Sequence, residues 1–254
     1  MHHMRAYCTL FRRELSGYFL SLSGYIIIAA ALFLMGLSFV VMLVKLQRLA
    51  TPMPLTELFY VTPYFWLILL LSTPVITMRL FALEKFSGTF ETLMTAPVKD
   101  IQVVLAKFSA ALFFYAVMWV PLLGCVFVVR YYTREAAPFD AGVLASTYVG
   151  VLLLGAVFIS LGCFASALTR SQAIAAMVSL MLTASLFLLG FLPIEKAAET
   201  KDFASRLLAS LSLFDQMHDF TRGVVDTRPV VLMLSITLFF LFLTLRVVES
   251  RRWK

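Results

Sequence analysis

Apolar residues gather along the chain into six runs separated by shorter polar joints, and each run is long enough to cross a bilayer as a helix. Such a helix needs about 20 mostly apolar residues. The first run, 25–44, reads YIIIAAALFLMGLSFVVMLV without a charge. Runs at 58–78, 108–129, 143–168 and 173–192 follow. The last, 230–248, gains its final residues because Arg246 can lay its stem along the helix and keep its charge in water. Pro63, Pro74 and Pro121 fall inside the second and third runs, where neighbouring helices can satisfy the backbone groups a proline frees. The pattern predicts an all-α integral membrane protein, one transmembrane domain over 1–254. The first run is too long for a signal-peptide core and has no small-residue cleavage site, so it is read as retained.

Amphipathic and small-residue patterns fill in the plan. Before the first run, Phe11, Leu15, Tyr18, Phe19 and Leu22 share one helical face, while Arg12, Arg13, Glu14, Ser16 and Ser21 lie mostly elsewhere. That predicts an amphipathic interfacial helix over 7–23, turning into the membrane at Ser23-Gly24. Only Thr169 to Gln172 separates the fourth and fifth runs, which predicts an antiparallel hairpin. Gly155, Gly162 and Ser166 on one arm and Ala176, Ser179 and Thr183 on the other would let its two helices approach closely. The longest joint, 193–229, carries Phe203, Leu207, Leu208, Leu211, Leu213 and Phe214, and reads as helices dipping toward the membrane.

Composition agrees with a bilayer as solvent. The chain of 254 residues is 61% hydrophobic and 14% charged, where a soluble domain carries about a quarter charged residues. Its net charge of +7 suits basic residues at a membrane face, and no basic run with interleaved aromatics points to nucleic acid. Six spans place both termini on one side. If that side is cytoplasmic, it holds 12 of the 21 Lys and Arg residues, including those of ESRRWK after the last run. Both termini are therefore read as cytoplasmic, 79–104 as a cytoplasmic segment and 193–229 as extracytoplasmic. Cys8, Cys125 and Cys163 are too dispersed for a disulfide framework or a metal spacing.

Two polar stretches carry candidate chemistry. Residues 83–98 read LEKFSGTFETLMTAPV. On a helix, Glu84, Ser87, Gly88 and Glu91 would share one side, and Phe86, Phe90 and Leu93 the opposite, apolar side. Gly88 would interrupt the helix, Ser87 or Thr89 would cap a short new one with Glu91 in its first turn, and Pro97 would stop it. The second stretch, DQMHD, places Asp215, His218 and Asp219 on one helix face. Three such side chains could bind a metal, as in a membrane-embedded metalloenzyme. A plain surface helix with Arg222 pairing to His218 and Asp219 gives the same pattern. The span cores are nearly free of charge, which weighs against a stand-alone carrier with an intramembrane relay.

LEKFSGTFETLMTAPV resembles the hallmark of the type-2 ABC exporter permeases: an acidic region, then G-T-x-E, then leucines and P-V. The matching positions are Glu84, Gly88, Thr89, Glu91, Leu93, Pro97 and Val98; Lys85 stands where many members have a second acid. FRRELSGYFLSLSGYIII is similar to the family's amphipathic helix and first span. SLFDQMHDFTRGVVDTRPVV and LFLTLRVVESRRWK resemble the branch that includes gliding-motility permeases. The resemblance implies a permease without catalytic residues or a bound cofactor or metal, in a bacterial cytoplasmic (inner) membrane among lipids. It further implies pairing with a second permease copy or paralogue, and docking of a cytoplasmic ABC ATPase on a coupling helix. The docking residues would be Glu84, Lys85, Gly88, Thr89, Glu91, Leu93, Pro97 and Val98. ATP and Mg would sit on that partner, since the chain has no G-x-x-x-x-G-K-[ST]. The implied cargo is exported and unidentified, with a lipidic or amphipathic substrate fitting the apolar spans.

Overall fold

The computed structural model describes residues 2–48, 55–90, 98–133, 140–189 and 213–250, and it is helical throughout them apart from turns and short joints. An 18-residue helix, α1 (His2–Phe19), precedes the first span, α2 (Leu22–Arg48). A six-residue helix, α3 (Leu55–Tyr60), leads to α4 (Pro63–Thr77), the second span, and α5 (Ala82–Ser87) follows it closely. The remaining spans are α6 (Asp100–Thr133), α7 (Ala141–Leu168), α8 (Gln172–Leu189) and α10 (Thr227–Ser250), with α9 (Leu213–Thr221) just before the last. Six helical segments among the described residues are long and apolar enough to cross a membrane.

Local chemistry sets several boundaries away from the sequence expectation. The second span begins at Pro63, because proline fits a helix's first turn and holds the residue before it extended. Thr62 sits at φ −74° and ψ 141°. Leu58 to Tyr60 therefore belong to the separate helix α3. Asp140 caps α7 by accepting a 2.8 Å hydrogen bond from the Gly142 amide. The third span starts well before residue 108, so the segment 100–107 is helix and joins the bundle. The corner between α1 and α2 falls at Leu20-Ser21, ahead of Ser23-Gly24. Residues 190–212, which include the expected end of the fifth span and most of 193–229, lie outside the described residues.

The fourth span, α7, is the centre of the bundle. It packs against α4, α6, α8, α9 and α10, and most of its residues are buried. The small residues read from the sequence do allow close approach, but the glycines face other neighbours than expected. Gly155 lies under the Tyr115 ring of α6, and Gly162 lies against Thr77 of α4. Ser166 meets the start of α5. The α7–α8 hairpin forms, yet the glycine face of α7 serves the second and third spans. The reason is steric: a wide aromatic ring or a branched threonine at the crossing leaves no room for a Cβ.

Close contact at Gly155 generates a direct test. A Cβ there would stand 2.1 Å from a Tyr115 ring carbon, whereas one at Gly124 meets nothing within 4 Å. Gly155→Ala is expected to cost about 1–3 kcal/mol through overpacking. Gly124→Ala should be neutral or gain up to about 1 kcal/mol from helix propensity. Thermal melting in one detergent, run side by side, checks the contrast.

Candidate functional site

Residues 79–90 meet the bundle where α1, α6 and α7 converge on α5. Helix α5 is six residues long and ends on Gly88, whose φ of 74° and ψ of −1° place it in the left-handed region. Glycine adopts that conformation at little cost, which explains its use where the helix must stop. Ser87 and Thr89 hydroxyls bond across the turn at 2.9 Å. Of the residues expected to form the coupling helix, Glu84, Lys85, Gly88, Thr89 and Val98 are described; Glu91, Leu93 and Pro97 lie outside the described residues.

Four charged side chains meet beside α5. The Lys107 ammonium of α6, 2% exposed, donates to Glu14 Oε1 of α1 and lies 3.0 Å from both that oxygen and Glu84 Oε1 of α5. Arg13 Nη2 closes the group from the solvent side, at 2.7 Å from Glu14 and 2.8 Å from Glu84. Two acids and two bases balance, so an ammonium that would be costly to bury alone is compensated by two carboxylates. The Phe81 ring, its centroid 5.5 Å from Lys107 Nζ, covers another side. Burial pushes the Glu14 carboxyl up, but Lys107 and then Arg13 outweigh it and hold it below the usual carboxylate range.

The ends of α5 and α7 cap one another. The position before α5 is Phe81, which offers no side-chain acceptor. Instead Ser166 Oγ of α7 accepts from the Phe81 and Ala82 amides at 3.0 and 3.1 Å, and donates to the Met78 carbonyl at 3.3 Å. In return, the buried Lys85 ammonium donates to the Ala167 carbonyl in the last turn of α7. Carbonyls of a helix's last turn have no partner within the helix, so this bond fills a real vacancy. Lys85 also lies over the Phe90 ring at 5.2 Å.

Among the described residues, the apolar face expected for this segment is not formed; Glu91 and Leu93, which would complete the two faces, lie outside the described residues. Phe86 is 77% exposed while Phe90 is 8% exposed, so they share no apolar face. The break at Gly88 removes the helical register that would have aligned them. Polar links hold α5 in place together with the buried Phe81, Ala82 and Phe90 on and beside it. Arg13, Glu14, Lys107 and Ser166 do not stand out as site residues in the sequence. Signals exist for two of them. Lys107 is flanked three and four positions away by Val103, Val104, Ala110 and Ala111, all buried. Glu14 falls between Phe11 and Tyr18 on the apolar face of α1.

A second charged group holds the opposite end of the bundle. Glu57 of α3 is 3% exposed. Arg222 Nη2 donates to its Oε1 at 3.0 Å, and His218 Nε2 lies 3.1 Å from the same oxygen. Burial opposes ionisation of Glu57, yet the Arg222 and His218 contacts keep its carboxyl below the usual range. His218 thus turns to Glu57 on another helix, and Arg222 pairs there as well. Among the described residues, no three His, Cys, Asp or Glu side chains form a group that could hold a metal.

Lys107 supplies the test of the inner group. Lys107→Met keeps the stem and leaves two half-buried carboxylates with one partner, an expected loss of about 3 kcal/mol. The pH dependence has a fixed sign. Glu14 titrates at 4.5 when unperturbed and lower in the fold. Its contribution is complete above about 4.5 and disappears as pH falls through the lowered value. In Lys107→Met that acid-side loss should shrink, since the cation chiefly responsible is gone; melting curves from pH 7 to 3 measure the difference, with Glu57 acting equally on both proteins.

Comparison with known proteins fits this architecture. A family model described as "ABC-2 family transporter protein" matches residues 48–246, well over half of the chain. The matched stretch includes α5, Glu84, Lys85, Lys107, Ser166 and α9, and it begins after Arg13 and Glu14. No curated protein matches the chain.

Proposed function

The chain belongs to the ABC-2 transporter family, as a multi-pass membrane permease component of an ABC transporter, and from that premise we propose that it is the permease of an ATP-driven exporter. A cytoplasmic ABC ATPase docks on the segment around α5, with Glu84, Lys85, Gly88, Thr89, Glu91, Leu93, Pro97 and Val98 as its coupling residues. ATP and Mg bind to that partner. Two permease subunits, identical or paralogous, form the transmembrane unit in a bacterial inner membrane, with both termini cytoplasmic. The branch is that of the gliding-motility permeases, on the strength of the residues before and within the last span. The cargo is lipidic or amphipathic.

One observation carries the docking site. A short polar helix is braced from three sides by Glu84–Lys107, Arg13 and the Ser166 cap, yet presents Phe86 outward at 77% exposure. Such bracing is more than a connector needs, and a rigid mount with an unpaired aromatic suits a partner that must push on it. Nucleotide-driven closure of the ATPases would then be delivered to the helices as rigid-body movement.

Purification from native membranes tests the assignment. A P-loop ATPase should remain bound, and its absence from gently solubilised material would overturn the reading. Phe86→Asp, at a side chain with little to lose on folding, should weaken retention of that ATPase at least about tenfold. Unchanged retention would remove α5 from the interface. Glu91→Lys should leave insertion intact while separating ATP hydrolysis from transport.

A further inference from the structure

We propose that the fourth span, α7, is the lever by which α5 moves the helix α9 at the far end of the bundle, with Ser166 and Lys85 as the positioning residues that fasten it. The proposal rests on the exporter reading for the source of the force, and on the geometry of α7 for its path. At one end, α7 and α5 are fastened in both directions: Ser166 caps the start of α5, and Lys85 caps the end of α7. At the other end, Ser146 Oγ donates to the Phe220 carbonyl of α9 at 2.8 Å, and Thr147 Oγ1 adds a longer bond of 3.4 Å. Gly150 lies directly beneath Phe220, where a Cβ would stand 2.9 Å from the ring. From Ser146 to Ser166 is 20 residues of continuous helix, about 30 Å at 1.5 Å per residue.

Stiffness distinguishes this path from its alternatives. The second span contains Pro74 and the third Pro121, each a point where one backbone hydrogen bond is missing. The route from α5 through α4 to α9 also crosses the extended Thr62 before it reaches α3 and the Glu57 pair. The fourth span runs from Ala141 to Leu168 without a proline. It is also gripped midway, with Tyr115 on Gly155 and Thr77 on Gly162, so it can tilt or shift as a unit but has little room to bend. A push on α5 therefore arrives at α9 through one rigid element with a polar clasp at each end.

Hydrogen–deuterium exchange on the protein in lipid nanodiscs tests this. In the permease alone, Ser166→Ala should speed exchange at least about threefold in 81–87 and also in 213–221, some 30 Å away. Ser185→Ala, an exposed serine on α8 bonded only within its own helix, should change neither. In the complex with its ATPase, trapping with ATP and vanadate should alter exchange in 213–221, and Ser166→Ala, which lies outside the docking residues, should abolish that response while the ATPase stays bound. Ser166→Thr, which keeps the hydroxyl that caps α5, should restore it. Faster exchange confined to 81–87, or a nucleotide response surviving in Ser166→Ala, overturns the lever and leaves the exporter reading intact. Failure to isolate any ATPase overturns the exporter reading, while the permease-alone comparison still decides whether α7 joins the two ends.

Discussion

A buried ammonium fixes the arrangement on which the rest depends. Lys107 lies at 2% exposure where water cannot serve it, so the fold must bring it carboxylates. One is Glu14 of α1 and the other Glu84 of α5, side chains far apart along the chain. Because each carboxylate also takes a hydrogen bond from Arg13, neither can leave without exposing the others to an unbalanced charge. Apolar contacts alone would let α1 slide along the third span at small cost. The charges do not, since their geometry is satisfied at one register. Around them, Tyr7 meets Ser109 at 2.7 Å and Tyr18 stacks on Phe114 at 4.8 Å, extending the same register along α1.

The bundle itself is organised by a different constraint, the closeness of approach to α7. In a bilayer, lipid tails compete equally for apolar side chains, so helix association depends on packing and on internal hydrogen bonds. Gly150, Gly155 and Gly162 bring Phe220, Tyr115 and Thr77 into contact with the helix backbone. Tyr115 also donates to the Val151 carbonyl at 3.2 Å, and Tyr148 donates to the Ala116 carbonyl at 2.5 Å. These bonds tie the third and fourth spans in both directions. The fifth and sixth spans hold no glycine among the described residues, and Gly24 of the first closes on the Tyr18 carbonyl of α1 rather than on another span.

Period and length make the spans legible in the sequence itself: a run such as 25–44 has one physical interpretation in water or lipid. The helix break at Gly88 is legible too, since a glycine between Ser87 and Thr89 is a stop signal by local chemistry alone. What a single sequence cannot give is partner choice across the bundle. Arg222 stands four positions from His218 and three from Asp219, yet Arg222 and His218 both reach Glu57, 165 and 161 residues away. The serine at 166 reads as one more small residue until the uncapped amides of Phe81 and Ala82 arrive beside it. Lys85 looks like a departure from a carboxylate pattern, and its position is explained by an acceptor on another helix, the Ala167 carbonyl. Tertiary hydrogen bonds leave no periodic trace, so the site's residues can be found in the sequence while their roles cannot.

The manner in which α5 is held bears on what it can do. Had its aromatic residues formed one apolar face against the bundle, the segment would be fastened by a non-directional force that tolerates sliding and rolling. Burial of Phe81, Ala82 and Phe90 is instead joined by hydrogen bonds to helix ends and by charge pairs, which resist displacement in particular directions. Holding the segment this way also releases Phe86 from the fold and leaves it outward, the most exposed apolar side chain on α5. A helix so mounted can take a load through its outer face without rotating under it. Under the proposed docking of an ATPase here, the polar character of residues 83–90, odd in a chain this apolar, would meet the mechanical requirement of a rigid mount.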